Sequence, residues 1–253
     1  MVDSSLITFC FGLTAFFGGL IAVPVGGAFL LLVPVFLLLG LNGLETLLLS
    51  RLAVAGAMLS GSTYFFLQHR KELNCRLVGF FLAGNLVGYL LAAKFVTAID
   101  IEVLTTILPW ILLVGAIFLV QDFRLNFKVR AGLVKKVLPV AGLAIGFYAG
   151  IGGAPSALII FLFSFLLPWS FPKVIVNTRC AELFGNLLVV GAYLAFGAAL
   201  TGYEVSVFLA ALMGGLLGAK LVFKSKPVWL KKAFLGLVLL TALKNTWEFF
   251  QGF

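Results

Sequence analysis

Pro24-Val25-Gly26-Gly27-Ala28 and Gly150-Ile151-Gly152-Gly153-Ala154 start 126 residues apart in a chain of 253, and each interrupts a long apolar run. Each is followed downstream by a hydroxyl-Arg-x-Ala segment inside another apolar run: Ser50-Arg51-Leu52-Ala53, then Thr178-Arg179-Cys180-Ala181. The chain therefore reads as a duplicated sequence with an arginine placed twice in hydrocarbon.

The material around the turns sets the class. Hydrophobic residues make up 62% of the chain and charged residues 11%, and mean hydropathy is +1.19. Such a composition cannot pack as a water-soluble core, so the chain is an integral membrane protein. Its apolar runs are continuous rather than alternating. That pattern points to helices, which satisfy their own backbone polar groups in lipid. Many of the 28 glycines fit close helix packing, as at Gly84, Gly88, Gly214, Gly215 and Gly218. The net charge of +9 is gathered in short loops, which indicates cytoplasmic anchoring rather than nucleic-acid binding. Cys10, Cys75 and Cys180 are far apart and His69 sits in a basic loop, so no metal site, disulfide framework or cofactor is indicated. The start Met1-Val2-Asp3-Ser4-Ser5 lacks the positive region of a secretory signal, and its apolar run is expected to belong to the mature fold.

Apolar segments fall at 5–23, 28–40, 45–68, 76–98 and 103–121, then at 137–149, 154–167, 173–197, 203–222 and 232–250. These are two sets of five. The first two segments of each set are short and joined by the Gly-rich turn, so each pair is either two thin crossings or a re-entrant hairpin. Both options give an odd number of crossings per half, and an odd repeat inserts upside down relative to its copy, whereas a four-crossing repeat with one broken helix would insert parallel.

Loop charge agrees. Gln68 to Arg76 contains Arg70, Lys71 and Arg76, whereas its counterpart Ala198 to Glu204 has no Lys or Arg; the next pair reverses, with Asp100 and Glu102 against Lys224, Lys226, Lys231 and Lys232. The positive-inside rule then places His69, Arg124 and Lys226 in the cytoplasm and Asp100 and Gly202 outside. The expected organisation is a first membrane repeat over 1–121, a basic cytoplasmic connector over 122–136 (Arg124, Lys128, Arg130, Lys135, Lys136) and a second repeat over 137–253. The fold class is an all-α polytopic membrane protein of two inverted repeats, each a short helical hairpin with a Gly-rich turn plus three transmembrane helices.

At each turn a helix begins, and its first N–H groups have no intrahelical acceptor, which favours an anion. Pro155 suits the first helical position. Gly26, Gly27, Gly152 and Gly153 are therefore candidate anion-cradle residues, the alternative being that they only permit tight turns or close packing. Arg51 and Arg179 lie about two turns into long helices, where a charge costs at least about 2.5 kcal/mol unless compensated. They either snorkel to an interface or serve a buried anion. Arg179, Glu182 and Asn186 share one helical face at i, i+3 and i+7, with Val54 and Met58 at the first half's corresponding positions. Glu182 either neutralises Arg179 or carries a proton. Lys94 and Lys220 are expected to snorkel, Lys244 and Glu248 to form a surface pair, and Trp110, Trp169, Trp229 and Trp247 to sit at lipid or interface.

The sequence resembles the sulfite exporter TauE/SafE family over almost its whole length. The resemblance rests on the Gly-rich turns with their apolar runs (Gly18-Gly19 through Pro34, Gly146 through Phe163), on Asn177-Thr178-Arg179-Cys180-Ala181-Glu182-Leu183-Phe184-Gly185-Asn186 with its Thr178 and Asn186, and on Gly84/Gly88 and Gly214/Gly218. It implies transport, often export, of sulfur-containing anions such as sulfite, sulfoacetate and related organosulfonates across the cell membrane.

The reading is thus a secondary transporter of small sulfur anions. The anion would lie between the two helix starts, near Ser50, Thr178 and Asn186, neutralised by Arg51 and Arg179. Alternating access would come from rocking of the inverted halves. The partners expected are the anion, the lipid bilayer and a coupling ion, proton or sodium, since no nucleotide-binding motif is present. The rival classes are an anion channel and an intramembrane enzyme, and for the latter Glu182 alone does not make a catalytic site.

Overall fold

The computed structural model describes residues 4–24, 26–99, 131–153 and 155–222, and among these the regular structure is helical with no strand. The helices are α1 (Ser4–Ala22), α2 (Phe29–Leu38), α3 (Gly43–Gln68), a 3-10 turn at Arg70–Glu72, α4 (Cys75–Ala98), α5 (Ala131–Gly150), α6 (Pro155–Leu166), α7 (Phe171–Ala195) and α8 (Glu204–Val222). The apolar segments 103–121 and 232–250 lie outside the described residues. So do the loop charges Asp100, Glu102, Arg124, Lys128, Arg130, Lys224, Lys226, Lys231 and Lys232, with Lys244, Glu248, Trp110, Trp229 and Trp247.

Five of the described helices, α3, α4, α5, α7 and α8, are long and apolar enough to cross a membrane. The hairpins differ from the expectation that both members are short. α1 has 19 residues and α5 has 20, whereas α2 has 10 and α6 has 12. At 1.5 Å per residue the second members are about 15–18 Å long, roughly half of a 30 Å hydrocarbon core. α5 spans Ala131–Gly150 of the described residues, and Lys135 and Lys136 lie within it. Both are exposed, and their long stems let the charges leave the apolar surface.

Helix ends follow local chemistry. Asn42 and Glu45 form a reciprocal capping box at the start of α3, with Glu45 N–H donating to Asn42 Oδ1 at 2.9 Å and Asn42 N–H to Glu45 Oε2 at 3.1 Å. Asn177, near the start of α7, ties down the loop that leaves α3: its Nδ2 donates to Glu72 O at 2.8 Å, and its Oδ1 accepts from Asn74 N–H at 2.7 Å. The end of α3 therefore sits beside the start of α7, and the two helices run in opposite directions.

Packing is reciprocal between the halves. α1 lies along α8, and α4 lies along α5. Both contacts use small residues to bring backbones together. A Cβ on Gly84 of α4 would strike the Pro139 carbonyl and lie 2.9 Å from Leu143 N, and one on Gly214 of α8 would strike the Phe16 carbonyl and lie 2.9 Å from Leu20 N. Likewise α3 contacts α8 as α7 contacts α4, and α3 contacts α7. Exchange of this kind is what an approximate two-fold relation produces.

α3 and α7 occupy the centre. Their apolar windows are 78% and 61% buried, against 28–39% for α4, α5 and α8. The central pair can therefore afford the more polar sequence, since its polar side chains face protein, while the outer helices expose Leu90, Phe95, Val140, Leu209 and Met213. Lys94 and Lys220 are exposed near the ends of α4 and α8, where snorkelling was expected.

Candidate functional site

The turns take the left-handed backbone their glycines allow: φ is +85° at Gly26, +74° at Gly27 and +107° at Gly152. In the second turn Gly152 N–H donates to Ala149 O and Gly153 N–H to Tyr148 O, each at 3.0 Å, closing the last turn of α5. These donors are spent on the helix end. Any backbone donors offered to an anion on this side come instead from the first turn of α6.

Arg51 and Arg179 are 1% and 0% exposed, so neither snorkels. Each reaches into the opposite half. Arg51 of α3 donates through Nη2 to the carbonyls of Ala149 and, at 3.1 Å, Gly153, and through Nη1 to Asn186 Oδ1 at 3.2 Å. Its guanidinium lies 4.0 Å from the centroid of the Phe29 ring, a cation–π contact. Arg179 of α7 donates through Nε to Val23 O at 2.8 Å, and through Nη1 to Ser156 Oγ at 3.0 Å and to Glu182 Oε2. Val23 and Ala149 occupy equivalent positions of the two turns, 126 residues apart. The arginines thus make the same carbonyl contact in exchanged halves.

The remaining contacts differ. Arg179 forms a buried ion pair with Glu182, and Ser156 Oγ, which accepts from Arg179, donates to Glu182 Oε1. Asn186 Nδ2 donates to Glu182 O at 2.7 Å while its Oδ1 holds Arg51, so one side chain joins the two arginine centres. Arg179 Nη2 and Arg51 Nε have no hydrogen-bond partner among the described residues. Nη2 faces the first turn, where a Cβ on Gly26 would lie 3.1 Å from it and would overlap Ser156.

A small cavity lies between the two helix starts. Gly27, Ala28 and Phe29 line it from the first half and Pro155 and Ser156 from the second, with Arg51, Glu182 and Asn186 adding polar groups and Ala22, Val54 and Met58 an apolar wall. Its volume of about 10 Å³ has room for about one water.

Of the residues singled out in the sequence, Gly27, Arg51, Glu182 and Asn186 meet at this cavity, with Arg179 bonded directly behind it. Gly26 packs on Ser156, and the Gly153 carbonyl serves Arg51. Gly152 is part of the α5 cap. Ser50 and Thr178 are fully buried next to the arginines, but their hydroxyls have no partner among the described residues and they are not among the cavity-lining residues. Sequence reasoning missed Ser156, Phe29 and the Tyr193 hydroxyl, which donates to Gly150 O. Ser156 could have been found, since it directly follows the proline that starts α6.

The description of the sulfite exporter TauE/SafE family matches residues 11–245. The chain belongs to that family. Over 226 residues it is 27% identical to a probable membrane transporter protein of Haemophilus influenzae, covering 87% of this chain and 86% of the relative. Over 219 residues it is 26% identical to the probable membrane transporter protein ORF9 of a Sinorhizobium species, covering 85% and 82%. No solved structure matches the chain.

Membership of the TauE/SafE family and the helices long enough to span make the chain a multi-pass membrane transporter of the cell membrane. In that family setting the buried arginines are costly features kept in the middle of a permease rather than at its lipid face.

Proposed function

We propose that the protein is a secondary transporter that exports small sulfur-containing anions, sulfite or organosulfonates, by alternating access of two inverted repeats, with the anion bound at the Arg51–Arg179 cavity. The observation that carries this reading is a pair of fully buried guanidinium groups from opposite halves, Arg51 in the wall of one cavity between two helix starts and Arg179 bonded directly behind it. A planar guanidinium suits an oxyanion better than an ammonium does, and low dielectric strengthens the contact. The mixed lining favours an organosulfonate: Ser156 and Asn186, next to the arginines, can hold the charged head while Val54, Met58 and Phe29 accept a short carbon chain. Inversion is supported by the opposite directions of α3 and α7, the reciprocal packing of α1 on α8 and α4 on α5, and the opposed loop charges.

The cavity is too small for such an anion as it stands, so binding requires the hairpin starts to part. Rocking of one half against the other would part them, because each arginine bridges the two halves.

Reconstitution into proteoliposomes with sulfite, sulfate, thiosulfate, sulfoacetate and taurine tests the reading. Sulfite or sulfoacetate flux is expected, and Arg179→Lys should lose most of it although the charge is kept. Absence of flux for every sulfur anion, in protein shown to be folded, refutes the substrate class.

A further inference from the structure

Among the described residues Glu182 is the buried acid, and both of its carboxylate oxygens are held: Oε2 by Arg179 and Oε1 by the Ser156 hydroxyl. A carboxylate in that position is itself an oxyanion bound to the guanidinium. We propose that Glu182 is an internal competitor for the transported anion: the anion takes Arg179 when Glu182 accepts a proton, so anion and proton bind and cross the membrane together. This rests on the reading of the arginine cavity as the anion site and adds the identity of the coupling ion.

Three observations support displacement rather than simple addition. Arg51 is turned to Ala149 O, Gly153 O and Asn186 Oδ1 and makes no direct bond to Glu182 among the described residues, so it is not the cation the acid occupies, although its Nε has no partner there. Arg179 has one uncommitted nitrogen, Nη2, and it faces the Gly26 backbone, where even a Cβ would crowd it at 3.1 Å. The cavity admits about one water. An incoming oxyanion therefore reaches Arg179 by taking the place of Glu182 Oε2 at Nη1.

The cations around Glu182 favour its carboxylate, so its protonation has to accompany the arrival of the anion, whose charge takes the carboxylate's place at Arg179. Arg179 on its own helix and Arg51 of α3, linked through Asn186, are the cations; Tyr89 of α4 lies within electrostatic reach of both Arg51 and Glu182; Ser156 comes from α6; and α2 contributes the apolar Phe29. Once protonated, Glu182 needs an acceptor for its O–H. Ser156 provides one, because its hydroxyl can turn from donating to Oε1 to accepting from the acid. The proton comes from water on the side from which the anion enters, and it leaves with the anion when the ion pair re-forms. Coupling of this sense is symport. Net export then requires internal anion accumulation of about tenfold for each unit by which the cytoplasm is the more alkaline side, for one proton per anion.

Methanesulfonate, whose own charge is constant across the accessible pH range, is the probe. Its affinity for the purified full-length protein should be constant at low pH and fall about tenfold per pH unit once Glu182 deprotonates. In Glu182→Gln affinity should be independent of pH and match the low-pH value, and in liposomes methanesulfonate entry should acidify the lumen with the natural chain only. If the Gln variant does not fold, the pH series and the lumen acidification of the natural chain decide alone. A pH-independent affinity in the natural chain, or an unchanged pH dependence in Glu182→Gln, overturns the proposal and leaves the anion site standing. No binding of methanesulfonate, sulfite or sulfoacetate at any pH overturns the sulfur-anion reading and the coupling with it.

Discussion

Replacing Arg51 by alanine separates a brace from a ligand. In the structure its fork serves Ala149 O, Gly153 O and Asn186 Oδ1 and stacks on Phe29. The Ala149 carbonyl keeps a second donor, Gly152 N–H at 3.0 Å, so it loses least. Gly153 O and Asn186 Oδ1 lose the donor shown here, at about 1–3 kcal/mol for each buried acceptor. The cation–π contact adds about 1–2 kcal/mol in a desolvated setting. The release of a buried guanidinium offsets part of this, because no carboxylate among the described residues bonds it directly. A net loss near 4 kcal/mol corresponds to a fall in Tm of about 8–16 °C for a chain of this size.

Thermal unfolding in detergent, followed by intrinsic fluorescence, reads that loss. Arg51→Lys should fall between the two, since one ammonium cannot span both carbonyls and the amide. The anion-induced rise in Tm, which scales with binding to the native state, should survive in part in both variants, because Arg179 is intact. An alanine variant with Tm within about 2 °C of the natural chain refutes the brace. If that variant has also lost all response to anion, Arg51 is a ligand and not a strut.

Arg179→Ala leaves Glu182 as a buried carboxylate without its cation and should cost about 3–5 kcal/mol, much of it recovered by adding Glu182→Gln; simple additivity of the two losses in a double-mutant cycle contradicts the ion-pair account. Gly26→Ala puts a side chain at φ +85° and into Ser156, so it should lower Tm and weaken the anion response together. Gly153→Ala, whose Cβ would meet the Tyr148 ring, should lower Tm with the anion response kept, because the Gly153 N–H already caps α5. With Cys10, Cys75 and Cys180 removed, single cysteines at 69 and 202 should label from opposite faces, cytoplasmic and outer, and labelling from one common face contradicts the inverted arrangement.

Much of the framework can be read from the sequence because membrane helices are written in long continuous runs. The segments 45–68 and 173–197 anticipate α3 (Gly43–Gln68) and α7 (Phe171–Ala195) within two residues. The spacing of Arg179, Glu182 and Asn186 likewise places three side chains on one face, and they do meet. Lys135 and Lys136 look like loop residues in the sequence, yet an exposed helix face can carry them, as α5 does. The arginines' partners were hidden for a different reason. Val23 and Ala149 act through their carbonyls, which no side-chain pattern records. The turn glycines were legible as turns, whereas the fate of their N–H groups depends on whether the preceding helix consumes them, and at Gly152 and Gly153 it does.

The two halves share a scaffold and differ in chemistry. Each supplies a turn, a half-length helix and an inner helix whose arginine holds the other half's turn, so these repeated parts account for the carbonyl contacts at Val23 and Ala149. Divergence lies one and two helical turns beyond the arginine. The first half has Val54 and Met58 there, the second Glu182 and Asn186, and all four line the cavity. A second acid at position 54 would pair with Arg51 as Glu182 pairs with Arg179, leaving two closed ion pairs and no charge to attract an anion. With one acid, two buried arginines carry one surplus positive charge, held in place by backbone carbonyls that can orient it without cancelling it. The asymmetry therefore leaves, among the described buried residues, one positive charge in surplus at the cavity and, on the proposed reading, a field for an approaching sulfonate and a single carboxylate whose protonation decides whether Arg179 is free to receive it.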